Sequence, residues 1–133
     1  MSELKLPEIN RVTLSGRLTR DPEKRYASDG TPVCTFTLAF HRRFRTKAGS
    51  WEEHTGFVAV ISYQRLAEVC AQFLRTGSPV LVEGRLQMRE WATTRGEKRT
   101  SLEVRAESVH FLEKAAAGAD APDGGPDEDP TSS

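Results

Sequence analysis

Apolar and polar residues alternate through most of the chain, in segments separated by turn residues. From Arg11 to Leu18, the apolar Val12, Leu14 and Leu18 interleave with Arg11, Thr13, Ser15 and Arg17, the period-two pattern of a strand with one buried face. Gly16 interrupts the apolar side and suits a bulge or the tight bend of a small barrel. Asp21-Pro22 and Asp29-Gly30-Thr31-Pro32 then punctuate a loop. A second strand is expected from Val33 to His41, with Cys34, Phe36, Leu38 and Phe40 on one face and Thr35, Thr37, Ala39 and His41 on the other. A cationic connection from Arg42 to Glu53 reads as a long hairpin loop, followed by a third strand at about His54 to Ser62. On that strand Val58 and Val60 suit the interior, while Phe57, Ala59 and Ile61 face away.

Between Gln64 and Thr76 the period changes. Leu66, Ala67, Val69, Cys70, Phe73 and Leu74 recur at the three- and four-residue spacing of an amphipathic helix. Ser62 is placed to cap its start, and Arg75 and Gly77 suit its end. Two more alternating segments, about Pro79 to Trp91 and Thr100 to Leu112, are joined by a turn at Thr93 to Glu97. The order β-β-β-α-β-β predicts an all-β fold. A five-stranded OB barrel with one helix between strands three and four fits it better than a sandwich or a βαβ fold.

After Lys114 the composition shifts to Ala, Gly, Pro, Asp and Ser with no aromatic residue, which predicts a disordered tail. The expected organisation is one domain over 1–114 and an acidic tail over 115–133. Formal net charge is zero, but the tail holds Asp120, Asp123, Asp127, Glu128 and Asp129 and no Lys or Arg. Residues 1–114 therefore carry 19 basic against 14 acidic side chains, a net +5. A basic body with an acidic appendage suggests a polyanion-binding surface and a segment able to compete for it.

Two cysteines far apart, Cys34 and Cys70, indicate neither a disulfide framework nor a metal site and suit a reducing compartment. The N-terminus lacks the apolar core of a signal peptide, and no run of about 18 apolar residues occurs. These features predict a soluble cytoplasmic protein that needs no membrane, metal or cofactor. Phosphate-cradling glycine loops, a nucleophile elbow and the HExxH pattern are missing, which argues against an enzyme.

Exposed aromatics among cations are the informative residues. On the fourth strand Val80, Val82, Leu86 and Met88 occupy one face and Glu83, Arg85, Gln87, Arg89 and Trp91 the other. Either Trp91 is an exposed ring on which a base can stack, or the strand ends before it and the ring folds over the rim. Phe44, set among Arg42, Arg43, Arg45 and Lys47, is either a stacking platform flanked by phosphate-attracting charges or a ring tucked back against its hairpin. For Phe57 and Tyr63 the pattern alone favours ordinary core packing. Trp51 receives no role.

Six stretches carry a resemblance: Asn10-Arg11-Val12-Thr13-Leu14-Ser15-Gly16-Arg17-Leu18, Asp21-Pro22-Glu23 with Arg25-Tyr26, Thr37-Leu38-Ala39, Leu66-Ala67-Glu68-Val69, Leu74-Arg75-Thr76-Gly77-Ser78, and Val82-Glu83-Gly84-Arg85-Leu86 with Arg89-Glu90-Trp91. In this order and spacing the chain resembles the bacterial single-stranded DNA-binding protein family from about Ile9 to Leu112. The resemblance implies base stacking by Phe44, Phe57, Tyr63 and Trp91. It also implies phosphate contacts by Arg11, Arg25, Lys47, Arg65 and Arg89, to which charge placement adds Arg42, Arg43 and Arg45. It implies a homo-oligomer, commonly a tetramer. Family tails end in acidic residues and a short apolar tip, whereas this one ends Asp127-Glu128-Asp129-Pro130-Thr131-Ser132-Ser133, so its docking to replication or repair proteins is expected to be weak. The expected function is sequence-independent binding and protection of single-stranded DNA in replication, recombination and repair. An accessory paralogue for DNA uptake or primosome assembly and a protein-only OB adaptor are the rivals.

Overall fold

Inward-facing positions of the alternating segments converge on one core. The computed structural model describes residues 5–112. The expected boundary at 114 and the acidic residues Asp120, Asp123, Asp127, Glu128 and Asp129 lie outside the described residues. Leu18 of β1 (Val12–Leu18) and Cys34, Phe36 and Leu38 of β3 (Pro32–Arg45) are buried against Val60 of β4 (Trp51–Tyr63). Val80 and Val82 of β5 (Pro79–Ala92) and Val104 and Ala106 of β6 (Lys98–Phe111) complete the wall. Helix α1 (Gln64–Phe73) contributes Ala67 and Cys70, with Leu74 just beyond it. A fully buried Val, Leu or Phe contributes roughly 1.5–3 kcal/mol relative to exposure, so this cluster is the main source of stability. Cys34 and Cys70 are free thiols inside it, and burial pushes them up to about 11 and about 12.

The strands follow the order β1-β5-β6-β4-β3, and β1 also pairs with β3 through Arg17 and Leu18, which closes the barrel. Among the described strands only β4 and β6 run parallel. This is the expected five-stranded OB barrel. Closure brings β1 so near β3 that a Cβ on Gly16 would overlap the Ala39 carbonyl oxygen, and a Cβ on Gly84 would overlap that of Arg105. Gly16 is therefore required by close backbone approach. Opposite Glu83 and Gly84, the β6 partners jump from Ser108 to Ala106, a bulge at Glu107.

Four local expectations change. A short strand, β2 (Glu23–Tyr26), pairs with the edge of β3 inside the stretch read as loop; all four of its residues are exposed, so no burial period marked it. The supposed loop from Arg42 to Glu53 is mostly ladder, with β3 reaching Arg45, β4 starting at Trp51, and a turn closed by the Thr46 N–H donating to the Ser50 carbonyl at 2.8 Å. Backbone pairing continues there because both ribbon faces meet water and polar side chains cost nothing. Ser62 does not cap the helix. It is buried and its hydroxyl donates to the Cys34 carbonyl at 3.2 Å, while Tyr63 holds the cap position. At the other end Arg75 behaves as expected, its guanidinium donating to the Leu74 and Gln72 carbonyls at 2.8 and 3.3 Å.

The fourth change concerns Leu86 and Met88. They keep the face of Val80 and Val82, but the β5–β6 hairpin overshoots the barrel. Leu86, Met88 and Leu102 are 40, 58 and 56 % exposed, with Met88 and Leu102 directly paired.

Candidate nucleic-acid interface

Cross-strand partners in a sheet point to the same side, so the register defines each face. On β3 and β4 the pairs Thr35 with Ile61, Thr37 with Ala59, Ala39 with Phe57, Arg43 with Glu53 and Arg45 with Trp51 share the outward face. The parallel pairs Ala59 with Glu103 and Ile61 with Arg105 carry it across to β6. From there Arg105 with Arg85, Glu103 with Gln87, Ser101 with Arg89 and Arg99 with Trp91 extend it over β5. One continuous surface thus runs across β3, β4, β6 and β5. On β2, Glu23 and Arg25 pair with Thr35 and Val33 and join its edge.

Three of the four expected stacking residues lie on this surface. Phe57 is 65 % exposed and Trp91 42 %, while Tyr63 is half-buried at the strand-to-helix junction. Strand β5 continues through Ala92, so Trp91 stands on the sheet with Arg89 over its ring at 5.9 Å and does not fold over the rim. Arg105 lies over Tyr63 at 4.4 Å, a cation–π contact that holds the phenol against the barrel. The fourth residue, Phe44, projects from the other face of the β3–β4 ribbon. It is half-buried, edge-on to His54 at 4.7 Å, with Arg42 over it at 5.1 Å. Phe44 and Phe57 are therefore not brought together on one face.

The expected cations divide in the same way. Arg43, Arg45 and Arg89 belong to the outward surface, Arg25 to its β2 edge, and Arg42 to the Phe44 side. Lys47 is exposed in the hairpin turn, Arg65 is exposed in the first turn of α1, and Arg11 is exposed just before β1. Gln64, with φ +61°, makes the sharp entry that separates Tyr63 from Arg65.

Across the outward face beside β2 lies a groove of about 310 Å³ lined by Arg20, Asp21, Glu23, Arg25, Thr35, Phe36, Thr37, Ala59, Ile61, Arg89 and Glu103. Ile61 was expected to face away. It does share Phe57's side, yet it is 6 % exposed, because its neighbours on β3 and β6 cover it. Glu103 is equally buried and accepts a 2.7 Å hydrogen bond from the Gln87 side-chain amide. Asp21 accepts from the Thr76 backbone N–H at 2.8 Å and hydroxyl at 2.9 Å, which holds its carboxyl below the ordinary range and pins the loop after β1 to the loop after α1.

Pattern reading missed two features of the surface. Arg85, Arg99 and Arg105 add charge to it; period two set Arg85 beside Arg89 on its own strand, but only the β5–β6 register puts Arg99 and Arg105 on the same face. Trp51 is 62 % exposed on the same side, beneath Arg43 at 5.7 Å and Arg45 at 5.9 Å. Its six-residue separation from Phe57 on one strand was the available signal. Among the described residues there is no cluster of metal-ligating side chains, and no helix is long and apolar enough to cross a membrane.

A small OB barrel with exposed rings and guanidinium groups on one sheet face belongs to the class of nucleic-acid-binding modules. The chain belongs to the single-strand binding protein family, whose model matches residues 9–112. It is 44 % identical over 110 residues to single-stranded DNA-binding protein 2 of Chlorobaculum tepidum, covering 82 % of this chain and 74 % of that one. It is 46 % identical over 109 residues to the single-stranded DNA-binding protein of Thermotoga maritima, covering 82 % and 77 %. Against single-stranded DNA-binding protein A of Bacillus subtilis it is 46 % identical over 110 residues and spans 63 % of that protein. A deletion variant of the single-stranded DNA-binding protein from Thermus aquaticus superposes with a TM-score of 0.71 at 35 % identity, covering 79 % of this chain and 51 % of that one. The Plasmodium falciparum protein solved with single-stranded DNA shares the fold, with a TM-score of 0.73 at 24 % identity over 83 % of this chain and all of that one.

Proposed function

We propose that the protein binds single-stranded DNA without sequence preference, through the outward face of the barrel. The carrying observation is that face itself: Phe57, Tyr63 and Trp91 stand on one sheet surface with Arg43, Arg45, Arg89 and Arg105, and Arg25 borders it. Guanidinium groups attract and space the phosphates, while bases leave water to stack on the rings. Each stacked base contributes roughly 1–3 kcal/mol, and every base has a π-face, so sequence matters little. Phe44 with Arg42 on the other side of the ribbon, and Arg11, Lys47 and Arg65 at the margins, continue the path of the strand around the barrel. Binding is the whole activity, with no chemistry and no cofactor. It protects exposed single strands at the nucleoid during replication, recombination and repair.

Self-association follows from the uncovered stripe of Leu86, Met88 and Leu102, which a second copy can bury, and the assembly is a tetramer. Residues 115–133, with five acidic and no basic side chains, compete with DNA for the cationic face at low salt.

The test is an anisotropy titration of labelled oligo-dT, with duplex DNA of equal length as competitor, alongside sedimentation. Tight oligo-dT binding that duplex does not displace, by a species four times the chain mass, is expected. Equal affinity for duplex would refute single-strand selectivity, and a monomer at micromolar concentration would refute the tetramer. Truncation after Lys114 should raise affinity at low salt; an unchanged affinity would leave the tail without a competing role.

A further inference from the structure

Trp51 stands at the distal end of β4, away from the core, with 62 % of its surface exposed. An indole of that size in water lowers solubility unless something covers it. The side chains facing it across the ladder are cationic, while Glu53, two residues along β4 on the same face, lies 3.7 Å from His41. Arg43 and Arg45, on the facing strand, lie over the ring at 5.7 and 5.9 Å, and neither has an acidic partner within 4.0 Å among the described residues. Trp51 also shares its face with Phe57. The two are six residues apart on β4, about 20 Å at roughly 3.4 Å per residue. Phe44, in the same hairpin, points the other way, half-buried against His54.

We infer that Trp51, flanked by Arg43 and Arg45, is a further base-stacking platform, which extends the single-strand track from Phe57 outward along the β3–β4 hairpin. This rests on the single-strand reading above. The two guanidinium groups serve twice: they fix the indole against the ribbon by cation–π contact, and they lie beside it where phosphates of a stacked nucleotide must pass. The two cation–π contacts hold the ring against the ribbon before DNA arrives, so less ordering is needed on binding.

The chain has two tryptophans, so Trp91→Phe leaves Trp51 as the sole indole while keeping a ring at position 91. Titration of this variant with oligo-dT, with binding followed separately by anisotropy of a labelled strand, should quench Trp51 emission in step with occupancy. Unchanged emission at saturating occupancy would overturn the platform alone. Failure of the unsubstituted chain to bind the oligonucleotide would overturn the single-strand reading and the platform with it. In the otherwise unsubstituted chain, Trp51→Ala should weaken binding roughly 5- to 150-fold, the equivalent of one lost stack. Trp51→Phe should recover most of it, and neither should change the melting temperature. Unchanged affinity in Trp51→Ala would refute the platform, as would a loss not recovered by phenylalanine.

Discussion

Ionic strength tests the electrostatic part of the mechanism most directly. Arg25, Arg43, Arg45, Arg89 and Arg105 belong to the proposed surface and, among the described residues, have no acidic group within 4.0 Å, whereas Arg85 and Arg99 are paired with Glu107 at 3.8 Å and Glu97 at 3.0 Å. Exposed pairs of that kind are already partly neutralised, so the other five arginines of this face set the minimum, to which Arg11, Arg42, Lys47 and Arg65 along the rest of the path add. Each phosphate neutralised on a single strand adds about 0.7 to the slope of log K against log salt, so one phosphate per arginine gives about 3.5. A fourfold rise in salt, from about 50 to about 200 mM, then weakens oligo-dT binding roughly 100-fold. Anisotropy titrations at constant pH measure the slope. Replacing Arg43 and Arg89 together by alanine should lower it by about 1.4, because two counterion-releasing contacts are gone. Trp91→Ala is the internal control: it should shift the whole line downward and leave the slope alone, since stacking releases no counterions. A wild-type slope below about 1, or a slope that ignores the double replacement, would refute this assignment of the cations.

Four further outcomes are expected. Phe57→Ala and Trp91→Ala should each weaken binding by about 1–3 kcal/mol at fixed salt with little change in melting, because both rings stand largely outside the core; unfolding with normal affinity after refolding would reverse the assignment. Gly84→Ala should destabilise by about 1–3 kcal/mol or more in thermal melts, since its Cβ would overlap the Arg105 carbonyl and β6 must shift; an unchanged melting temperature would contradict the close approach. Cys34 and Cys70, with thiols raised to about 11 and about 12, should resist a disulfide reagent at pH 8 in the native protein and both react after denaturation. Asp21 is held below its ordinary 3.8 by Thr76, so its stabilising contribution is present above that value and is lost as pH falls through the lower native one; the melting difference between wild type and Asp21→Ala should be full at pH 7 and vanish in strong acid.

Side-chain alternation is a local property, and it was legible in the chain. Period two placed Arg89 with Trp91 and set both opposite Val80 and Val82, while the switch to helical spacing located α1 between the third and fourth barrel strands. Alternation says which residues share a face of one strand and does not say what covers that face. Ile61 and Phe57 are equivalent by period, yet neighbours on β3 and β6 bury the first and leave the second in water. Leu86 and Met88 continue the core face of Val82 and are nonetheless exposed, because their hairpin extends beyond the barrel that would have covered them. Gathering Phe57, Tyr63, Trp91, Trp51 and Arg105 on one surface depended on hydrogen-bond register between strands up to tens of residues apart, including the parallel β4–β6 contact. The same register put Phe44 on the opposite side of its ribbon. Local pattern fixes the orientation of a side chain relative to its own strand; only long-range pairing decides which strands lie beside it, and so which rings and charges a single strand of DNA would meet together.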